Sequence, residues 1–497
     1  MRLHDLTARP GPADRDLSDG PDPEIAGLSA DSRTVAPGFL FAALPGTRID
    51  GRTFIPDAIA RGARVILAAP GTSLPAPAAG TAPVTLITDD NPRLSFARIA
   101  ARFFPAQPAT IAAVTGTNGK TSTVQFCRQL WAALGCQAGA LGTLGVTAPG
   151  LDHYGAWTTP DPVILHQTLA ELSAHGIDHL AMEASSHGLD QFRLDGVRIQ
   201  VAGFTNLSRD HLDYHGDMDA YFTAKAALFD RILPSGGSAV LNADVPEFTR
   251  LRAIAMRRGQ QVIDYGAQGE ALAVDAVTPD SHGQRLTLRV FGRPYDLRLP
   301  LAGRFQAWNV LCAIGLAIGS GSEPERVIEA AAHLDGVRGR LEHVARHPDG
   351  APIYVDFAHT PDALEKVLQA LRPHVTRDLS VVFGCGGDRD RGKRPVMGTL
   401  AQTLADRVIV TDDNPRTEDP ASVRAQVMAG CPEAREIGDR HAAIRQAVRE
   451  LGAGDVLVIA GKGHEQGQIV GSEIRPFDDA DEARRAVAAI IAERGAS

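Results

Sequence analysis

Apolar residues along this chain gather in short runs, each followed by a polar, often glycine-rich stretch and then by a segment with helical spacing. Ile111 to Val114 is one such run, and Thr121 to Leu134, closed by Gly135, has the length and apolar spacing of a helix. Similar runs at Leu180 to Met182, Val201 to Phe204 and Ala239 to Leu241 alternate with helical segments, such as Met218 to Phe229. The pattern resumes at Ile353 to Phe357, Leu379 to Phe383, Arg407 to Val410 and Val456 to Ala460. Strands alternating with helices predict parallel α/β sheets. Shorter β-like runs come earlier, at Phe39 to Leu44, Arg64 to Ala68 and Val84 to Thr88, with a Pro/Ala/Gly-rich loop over Ala69 to Pro83. The prolines of Phe104-Pro-Ala-Gln-Pro108 break the preceding helical pattern and mark a linker. We therefore expect an α/β protein of three domains, over residues 1–107, 108–337 and 338–497.

In such sheets ligands bind beyond the carboxyl ends of the strands, where the polar motifs of this chain sit. Residues 114–122 read Val-Thr-Gly-Thr-Asn-Gly-Lys-Thr-Ser. A glycine-rich turn leading into a helix presents backbone N–H groups and a positive dipole end to an anion. With Lys120 for the β/γ-phosphates and the Thr121 hydroxyl for Mg²⁺, the segment predicts a nucleoside-triphosphate site. Val114 stands where the strict phosphate-loop pattern has its first glycine, so the loop is the G-T-N-G-K-T variant. Glu183 ends the strand His179 to Met182 and is placed to hold Mg²⁺. The stretch Phe204-Thr-Asn-Leu-Ser-Arg-Asp-His211-Leu-Asp-Tyr-His215-Gly is too dense in His and Asp for a simple turn.

Composition narrows the setting. A chain of 497 residues, 44% hydrophobic and 22% charged, is long enough for about three globular domains. A net charge of −9 argues against nucleic acid as partner. Five scattered cysteines without C-x-x-C fit reduced thiols rather than disulfides or zinc. Met1 to Gly20 lacks the apolar core of a signal peptide, and no apolar run approaches the roughly 18 residues of a membrane span. A cytoplasmic enzyme is expected. Among 50 Lys+Arg only Lys120, Lys225, Lys366, Lys393 and Lys462 are lysine. Generic positive charge is supplied by arginine, so each lysine is a candidate for a place needing a compact ammonium or a nucleophilic amine.

The ordered motifs T-G-T-N-G-K-T-S, M-E-A-S-S-H-G-L, F-T-N-L-S-R-D-H-L-D-Y-H-G and A-K-A-A-L-F resemble the Mur ligases of bacterial cell-wall synthesis. The similarity continues through Asp31-Ser-Arg33, Trp157-Thr-Thr-Pro160, Gly303 to Asn309, Gly339-Arg-Leu-Glu342 and Val355-Asp-Phe-Ala-His359. It extends to Phe383-Gly-Cys-Gly-Gly-Asp-Arg389, Thr411-Asp-Asp-Asn-Pro-Arg416 and Ala460-Gly-Lys-Gly-His-Glu465. The resemblance implies a nucleotide-sugar-binding first domain, a central phosphate-loop ATPase domain and a Rossmann-like third domain. It implies an acid–amino-acid ligase in peptidoglycan precursor synthesis, and so in cell shape and division. ATP phosphorylates the D-glutamate γ-carboxylate of UDP-N-acetylmuramoyl-L-alanyl-D-glutamate, an amine attacks the acyl phosphate, and ADP and phosphate are released.

By the same resemblance, Gly116, Thr117, Asn118, Gly119, Lys120, Thr121 and Ser122 bind ATP, with Asn309 and Arg340 near the adenine and phosphates and Asp356 at the ribose. Thr121 and Glu183 hold one Mg²⁺, and His211 helps to hold a second. Lys225 matches a lysine carbamylated by CO₂, which turns a repelling ammonium into an anionic oxygen donor for a hard cation. His359 is either an active-site group or a local brace. Ser32, Thr47, Arg48 and Ile49 match the grip on uridine diphosphate; Thr158, Thr159, Ser185, Gln191 and Arg193 match the muramoyl-dipeptide site. Trp157 departs from the asparagine that family members can carry there.

Asp413, Asn414, Pro415 and Arg416 match the D-N-P-R signature of the meso-diaminopimelate-adding branch, with Arg389, Gly461 and Glu465 as further contacts. Arg416 would attract the extra carboxylate of that substrate and repel the ammonium of L-lysine. The same hexapeptide, Thr-Asp-Asp-Asn-Pro-Arg, occurs at 88–93 and at 411–416. We expect the first copy to be a capped turn and the second to bind the acceptor. The same ligation with L-lysine or another acceptor, a folylpolyglutamate synthetase-like ligase and a nucleotide-driven switch are the alternatives. A monomer that closes about hinges on its small-molecule substrates is expected.

Overall fold

A computed structural model describes residues 1–8, 21–46, 49–76, 83–153, 158–280 and 283–495. Two compact units are formed, Met1–Asp264 with Gly315–Ser322, and Tyr265–Ile314 with Glu323–Ser497.

The first unit opens with a four-stranded sheet whose strands Gly27–Ser29, Phe39–Ala43, Val65–Ala68 and Thr85–Thr88 pair in chain order, all parallel. The helix Pro92–Phe103 follows, started by Asn91, whose side chain accepts from Leu94 N at 3.0 Å, and by Pro92 at its first position. The prolines after it do end the helix, but the linker is tied down. Gln107 is buried and bonds Gly196 O and Arg198 N, each at 3.0 Å.

The central sheet runs Ser238–Asn242, Val201–Phe204, Thr110–Thr115, His179–Glu183 and Ala138–Gly142, all parallel. Its strands are buried on both faces, as continuous apolar runs require. Leu165, Leu169 and Leu172 of the helix Pro162–Ala174 share one core with Leu180, Met182 and Phe204. The order is not the chain order: Thr110–Thr115 lies between Val201–Phe204 and His179–Glu183. The loops that follow these three strands therefore open side by side.

In the second unit Leu272–Asp280, Gly283–Val290 and Arg293–Leu299 form an antiparallel meander. This departs from the parallel pattern expected for the central segment. Alternate residues of Gly283–Val290 are buried, the mark of a strand with one wet face. A further sheet runs Glu342–Arg346, Pro352–Asp356, Val456–Ala460, Leu379–Phe383, Arg407–Val410 and Arg435–Glu436, parallel except at its first pair. The helix expected over 218–229 is α-helical over Met218–Ala227 and continues as a π-turn, Leu228–Ile232. No helix among the described residues is long and apolar enough to cross a membrane.

Candidate active site

The strand Thr110–Thr115 delivers the glycine-rich loop, and Gly119, at φ 85°, turns it into the helix Lys120–Ala133. Gly116 lies at φ 149°, and a Cβ there would fall 1.9 Å from Thr205 Oγ1, so only glycine fits. The loop is braced from the neighbouring strand end. Thr205 Oγ1 donates to Asn118 O at 2.6 Å, and Asn206 Oδ1 accepts from Asn118 N at 3.0 Å. Thr117 Oγ1 lies 3.2 Å from both Ser208 O and Tyr221 Oη. Lys120 Nζ arches back over the loop to Gly116 O and Thr117 O, both at 2.9 Å. Ser122 is buried in the first turn.

Glu183 ends the adjacent strand with its carboxylate buried. Thr121 Oγ1 and Thr143 N donate to Oε1 at 2.9 and 2.8 Å, and Thr143 Oγ1 donates to Oε2 at 3.2 Å. No cationic side chain among the described residues pairs with it. A Cβ at Gly142 would come within 2.3 Å of Oε1, which keeps that approach clear of side chains. A buried carboxylate served only by neutral donors, with a hydroxyl beside it, fits a hard cation. No group of three or more His, Cys, Asp or Glu side chains that could hold a metal occurs among the described residues.

Lys225 is buried, and its Nζ donates to Gly116 O at 2.7 Å, 4.4 Å from the centroid of the Tyr221 ring. Burial, and then the charge of Lys120, push its pKa well below the usual lysine range against the opposing pull of Asp210. The amine is thus biased to the neutral, nucleophilic form. His211 stands in the left-handed region at φ 52°, with its ring edge-on to that of His187 at 4.9 Å. No direct bond joins His211 to Thr121 or Glu183 among the described residues.

Residues far apart in sequence converge beside Glu183. Thr159 Oγ1 donates to Glu183 O and accepts from Ser185 N, both at 3.1 Å. Thr158 Oγ1 lies 3.1 Å from Thr143 Oγ1. Arg193 donates to Thr159 O at 2.7 Å and grips Gln191 Oε1 with Nε and Nη2. Gln191 in turn donates to Tyr214 Oη at 3.1 Å. In the smaller sheet domain Ser32 is buried, in the 3₁₀ turn capped by Asp31, while Ile49 is exposed. Thr47, Arg48 and Trp157 lie outside the described residues.

In the second unit Asn309 is buried and donates to Gln306 Oε1, whose amide donates to Arg340 O, both at 3.0 Å. Asp356 is buried, accepting from Leu341 N at 2.6 Å and Ala358 N at 2.7 Å. Burial pushes its pKa up to about 6, against the pull of Arg340 and those two N–H groups. His359 Nδ1 lies 2.8 Å from Phe357 O, and its ring packs edge-on at 4.5 Å against that of Phe357.

The two hexapeptides are used differently. Asn91 caps a helix, but Asn414 caps none. Its amide donates to Glu465 Oε2 at 2.9 Å, and its Oδ1 accepts from Lys462 Nζ and Ile469 N at 2.9 Å each. Asp413 and Pro415 are buried beside it, and a Cβ on Gly461 would meet Asp413 Oδ2 at 2.7 Å. Arg416, at φ 52°, donates through Nη1 to Gly387 O at 2.8 Å. Arg389 is exposed, with one long bond to Asp388 O. Lys462, fully buried at the centre of this cluster, was missed as a site residue. Its scarcity as a lysine and its Gly-Lys-Gly setting were the available signals.

Backbone strain maps onto the same places. Of six non-glycine residues with positive φ among those described, His211 and Arg416 are candidate site residues, while Phe192, Leu341 and Asp388 each adjoin one. Such conformations cost about 1–3 kcal/mol each and collect at functional sites.

Family models match along the chain in the same order: Mur ligase family, catalytic domain, over residues 24–104; Mur ligase middle domain over 114–317; and Mur ligase, glutamate ligase domain, over 339–463. A Caulobacter vibrioides protein named UDP-N-acetylmuramoyl-L-alanyl-D-glutamate–2,6-diaminopimelate ligase is 50% identical, covering 99% of both chains. The chain belongs to the Mur ligase family. A Bradyrhizobium diazoefficiens Mur ligase of the same name is 52% identical, over 95% of this chain and 96% of its own. A solved Mur ligase structure bearing that name superposes with a TM-score of 0.71 at 33% identity, covering 99% of each chain. The α/β fold expected from the motifs is the fold of this family.

Proposed function

We propose that the chain is an ATP-dependent ligase that joins meso-2,6-diaminopimelate to the D-glutamate γ-carboxylate of UDP-N-acetylmuramoyl-L-alanyl-D-glutamate, in peptidoglycan precursor synthesis. The observation that carries it is identity of 50% and 52%, over nearly the whole chain, to relatives named for that reaction. The non-capping use of the second hexapeptide supports the choice of acceptor. The proposed partition is a nucleotide-sugar domain over residues 1–107, an ATPase domain over 108–337 and an acceptor domain over 338–497. The proposed setting is cytoplasmic, with a monomeric enzyme and small-molecule partners.

Phosphoryl transfer onto a carboxylate brings anions together, so positioning and charge neutralisation dominate. Lys120 and the N–H groups of residues 116–122 take the phosphates of ATP; Asn309, Arg340 and Asp356 are assigned to adenine, phosphates and ribose. Each Asp356 oxygen accepts one backbone bond and retains a lone pair for a ribose hydroxyl. Thr121 and Glu183 would hold one Mg²⁺; His211 and carbamylated Lys225 would serve a second. Bound there, Mg²⁺ neutralises charge on the phosphates and on the substrate carboxylate. The neutral Lys225 amine adds to CO₂, forming an N–C bond and losing one proton, which leaves an anionic oxygen donor.

Ser32, Thr47, Arg48 and Ile49 are assigned to the uridine diphosphate, and Thr158, Thr159, Ser185, Gln191 and Arg193 to the muramoyl-dipeptide. Once the γ-carboxylate has become an acyl phosphate, the amine of the acceptor attacks its carbon and phosphate leaves. Asp413, Asn414, Pro415, Arg416, Arg389, Gly461 and Glu465 hold that acceptor, with Arg416 on the distal carboxylate and Glu465 on the distal ammonium.

The test mixes protein, ATP, Mg²⁺ and the nucleotide-dipeptide with meso-diaminopimelate, L-lysine or no acceptor, and follows phosphate and product mass. Tripeptide product with diaminopimelate alone is expected. Product with L-lysine would overturn the acceptor assignment, and phosphate release indifferent to acceptor would overturn the ligase.

A further inference from the structure

Lys462 has no exposed surface, yet oxygen atoms crowd its ammonium. Asn414 Oδ1 lies at 2.9 Å, Glu465 Oε2 at 3.2 Å and Asp413 Oδ1 at 3.7 Å. Its backbone is fixed on both sides: Gly461 N donates to Asp356 O at 3.1 Å, and Glu465 N donates to Lys462 O at 3.0 Å. Just before it, Ala460 O accepts at 3.0 Å from Arg440, which is itself buried in a two-bond pair with Asp479. The lysine has no slack.

This placement decides how its neighbours point. Lys462 Nζ and Ile469 N are both donors, so the atom of Asn414 between them is the amide oxygen and the NH₂ faces Glu465. Glu465 then receives two donors on one oxygen, Oε2, from Asn414 Nδ2 and Lys462 Nζ. Its other oxygen, Oε1, takes no bond among the described residues, and the side chain is about one-third exposed, at 36%. A carboxylate is thus held by one edge with the other open. Asn414, which holds it, also accepts through its backbone O from Nη1 of Arg416, whose guanidinium bonds through no other nitrogen among the described residues. An open carboxylate edge and an open guanidinium edge linked through one asparagine complement the ammonium and carboxylate of one amino-acid head group.

Given the ligase activity proposed above, on which this step rests, we propose that Lys462 is the positioning residue of the acceptor pocket. It locks the Asn414 amide and one Glu465 oxygen so that the remaining oxygen meets the distal ammonium of the acceptor. Lys462 does not touch the substrate; it acts through Glu465. Without it, Glu465 and Asp413 lose their shared buried cation and the carboxylate swings from its set orientation.

Lys462→Met keeps the apolar stem and removes the ammonium. The expected result is a roughly tenfold or greater rise in KM for meso-diaminopimelate, with KM for ATP and for the nucleotide-dipeptide within about twofold of wild type. Glu465→Gln should do the same, and the double variant should be no worse than the poorer single one, because both remove one interaction. Multiplying effects, or equal rises in all three KM values, would overturn the proposal. Should Lys462→Met fail to fold, wild-type enzyme labelled with ¹⁵N-lysine gives a second test. The slowly exchanging Lys462 ammonium signal should shift when meso-diaminopimelate joins ATP analogue and nucleotide-dipeptide. No shift under conditions where natural ATP yields product overturns the role of Lys462 alone. No shift and no product overturns it together with the ligase.

Discussion

Lys225 donates a 2.7 Å hydrogen bond to the carbonyl of Gly116, which lies 109 positions earlier in the chain, and no carboxylate among the described residues is paired with it. A buried amine lowered in pKa by burial and by Lys120, against the weaker pull of Asp210, is biased to the form that adds to CO₂. Lys225→Ala is therefore expected to lower kcat by about 100-fold or more. Formate or acetate in the vacated space should restore part of it by supplying an anionic oxygen. Undiminished turnover of the variant in CO₂-free buffer would end the carbamate assignment.

Glu183 makes the second prediction. Its carboxylate is buried among Thr121 and the two donors of Thr143, with no cationic side chain among the described residues paired to it. Glu183→Gln should cut kcat by roughly 10²–10³-fold, as the loss of a charge that acts in the transition state does. Because the free protein loses an unpaired buried charge, its melting temperature should hold or rise. Chelation of Mg²⁺ should abolish wild-type turnover and leave the melting curve of the apo-protein unchanged. A variant that melts early while keeping its activity would show Glu183 to be structural.

The repeated hexapeptide separates stability from recognition. Asn91 accepts from Leu94 N as a helix cap, so Asn91→Ala should cost about 1 kcal/mol of stability and leave KM for the acceptor unchanged. Asn414 bonds Glu465, Lys462 and Ile469 instead, so Asn414→Ala should raise KM for meso-diaminopimelate about tenfold. Denaturation midpoints and steady-state kinetics on both variants decide it. The opposite assignment of effects would mean that the copies had been read the wrong way round.

That contrast also marks what a sequence can show. The strands Leu379–Phe383 and Val456–Ala460 are continuous apolar runs, legible because a parallel strand is buried on both faces. The meander over 272–299 was not read, because its one-sided burial follows a different period and interrupts the βα alternation. The glycine-rich loop was legible because consecutive residues build it. The meeting of Glu183 with Thr121 was legible through the family motifs; the braces from Thr205 and Asn206 were not, because they depend on which strand lies next to which, and that order is not chain order. Lys462 was hidden for the same reason: Asn414 lies 48 positions away and bonds it only once two loops have been brought together.

Asp356 predicts a pH dependence with a definite sign. Burial lifts its folded-state pKa to about 6, while the unfolded chain keeps the ordinary value of 3.8. The folded state thus binds the proton more tightly, and this contribution to stability is complete below pH 3.8 and lost as pH rises through 6. The gap of about two units corresponds to roughly 3 kcal/mol at most. Asp356→Asn removes the titration and one of the two backbone acceptor bonds at all pH values. The stability of wild type relative to Asp356→Asn should therefore fall between pH 4 and 7, most steeply at about pH 5, midway between the two pKa values, in urea midpoints measured on both proteins. A difference that stays flat across this range would show that Asp356 is already ionised throughout it, held by Leu341 N, Ala358 N and the charge of Arg340.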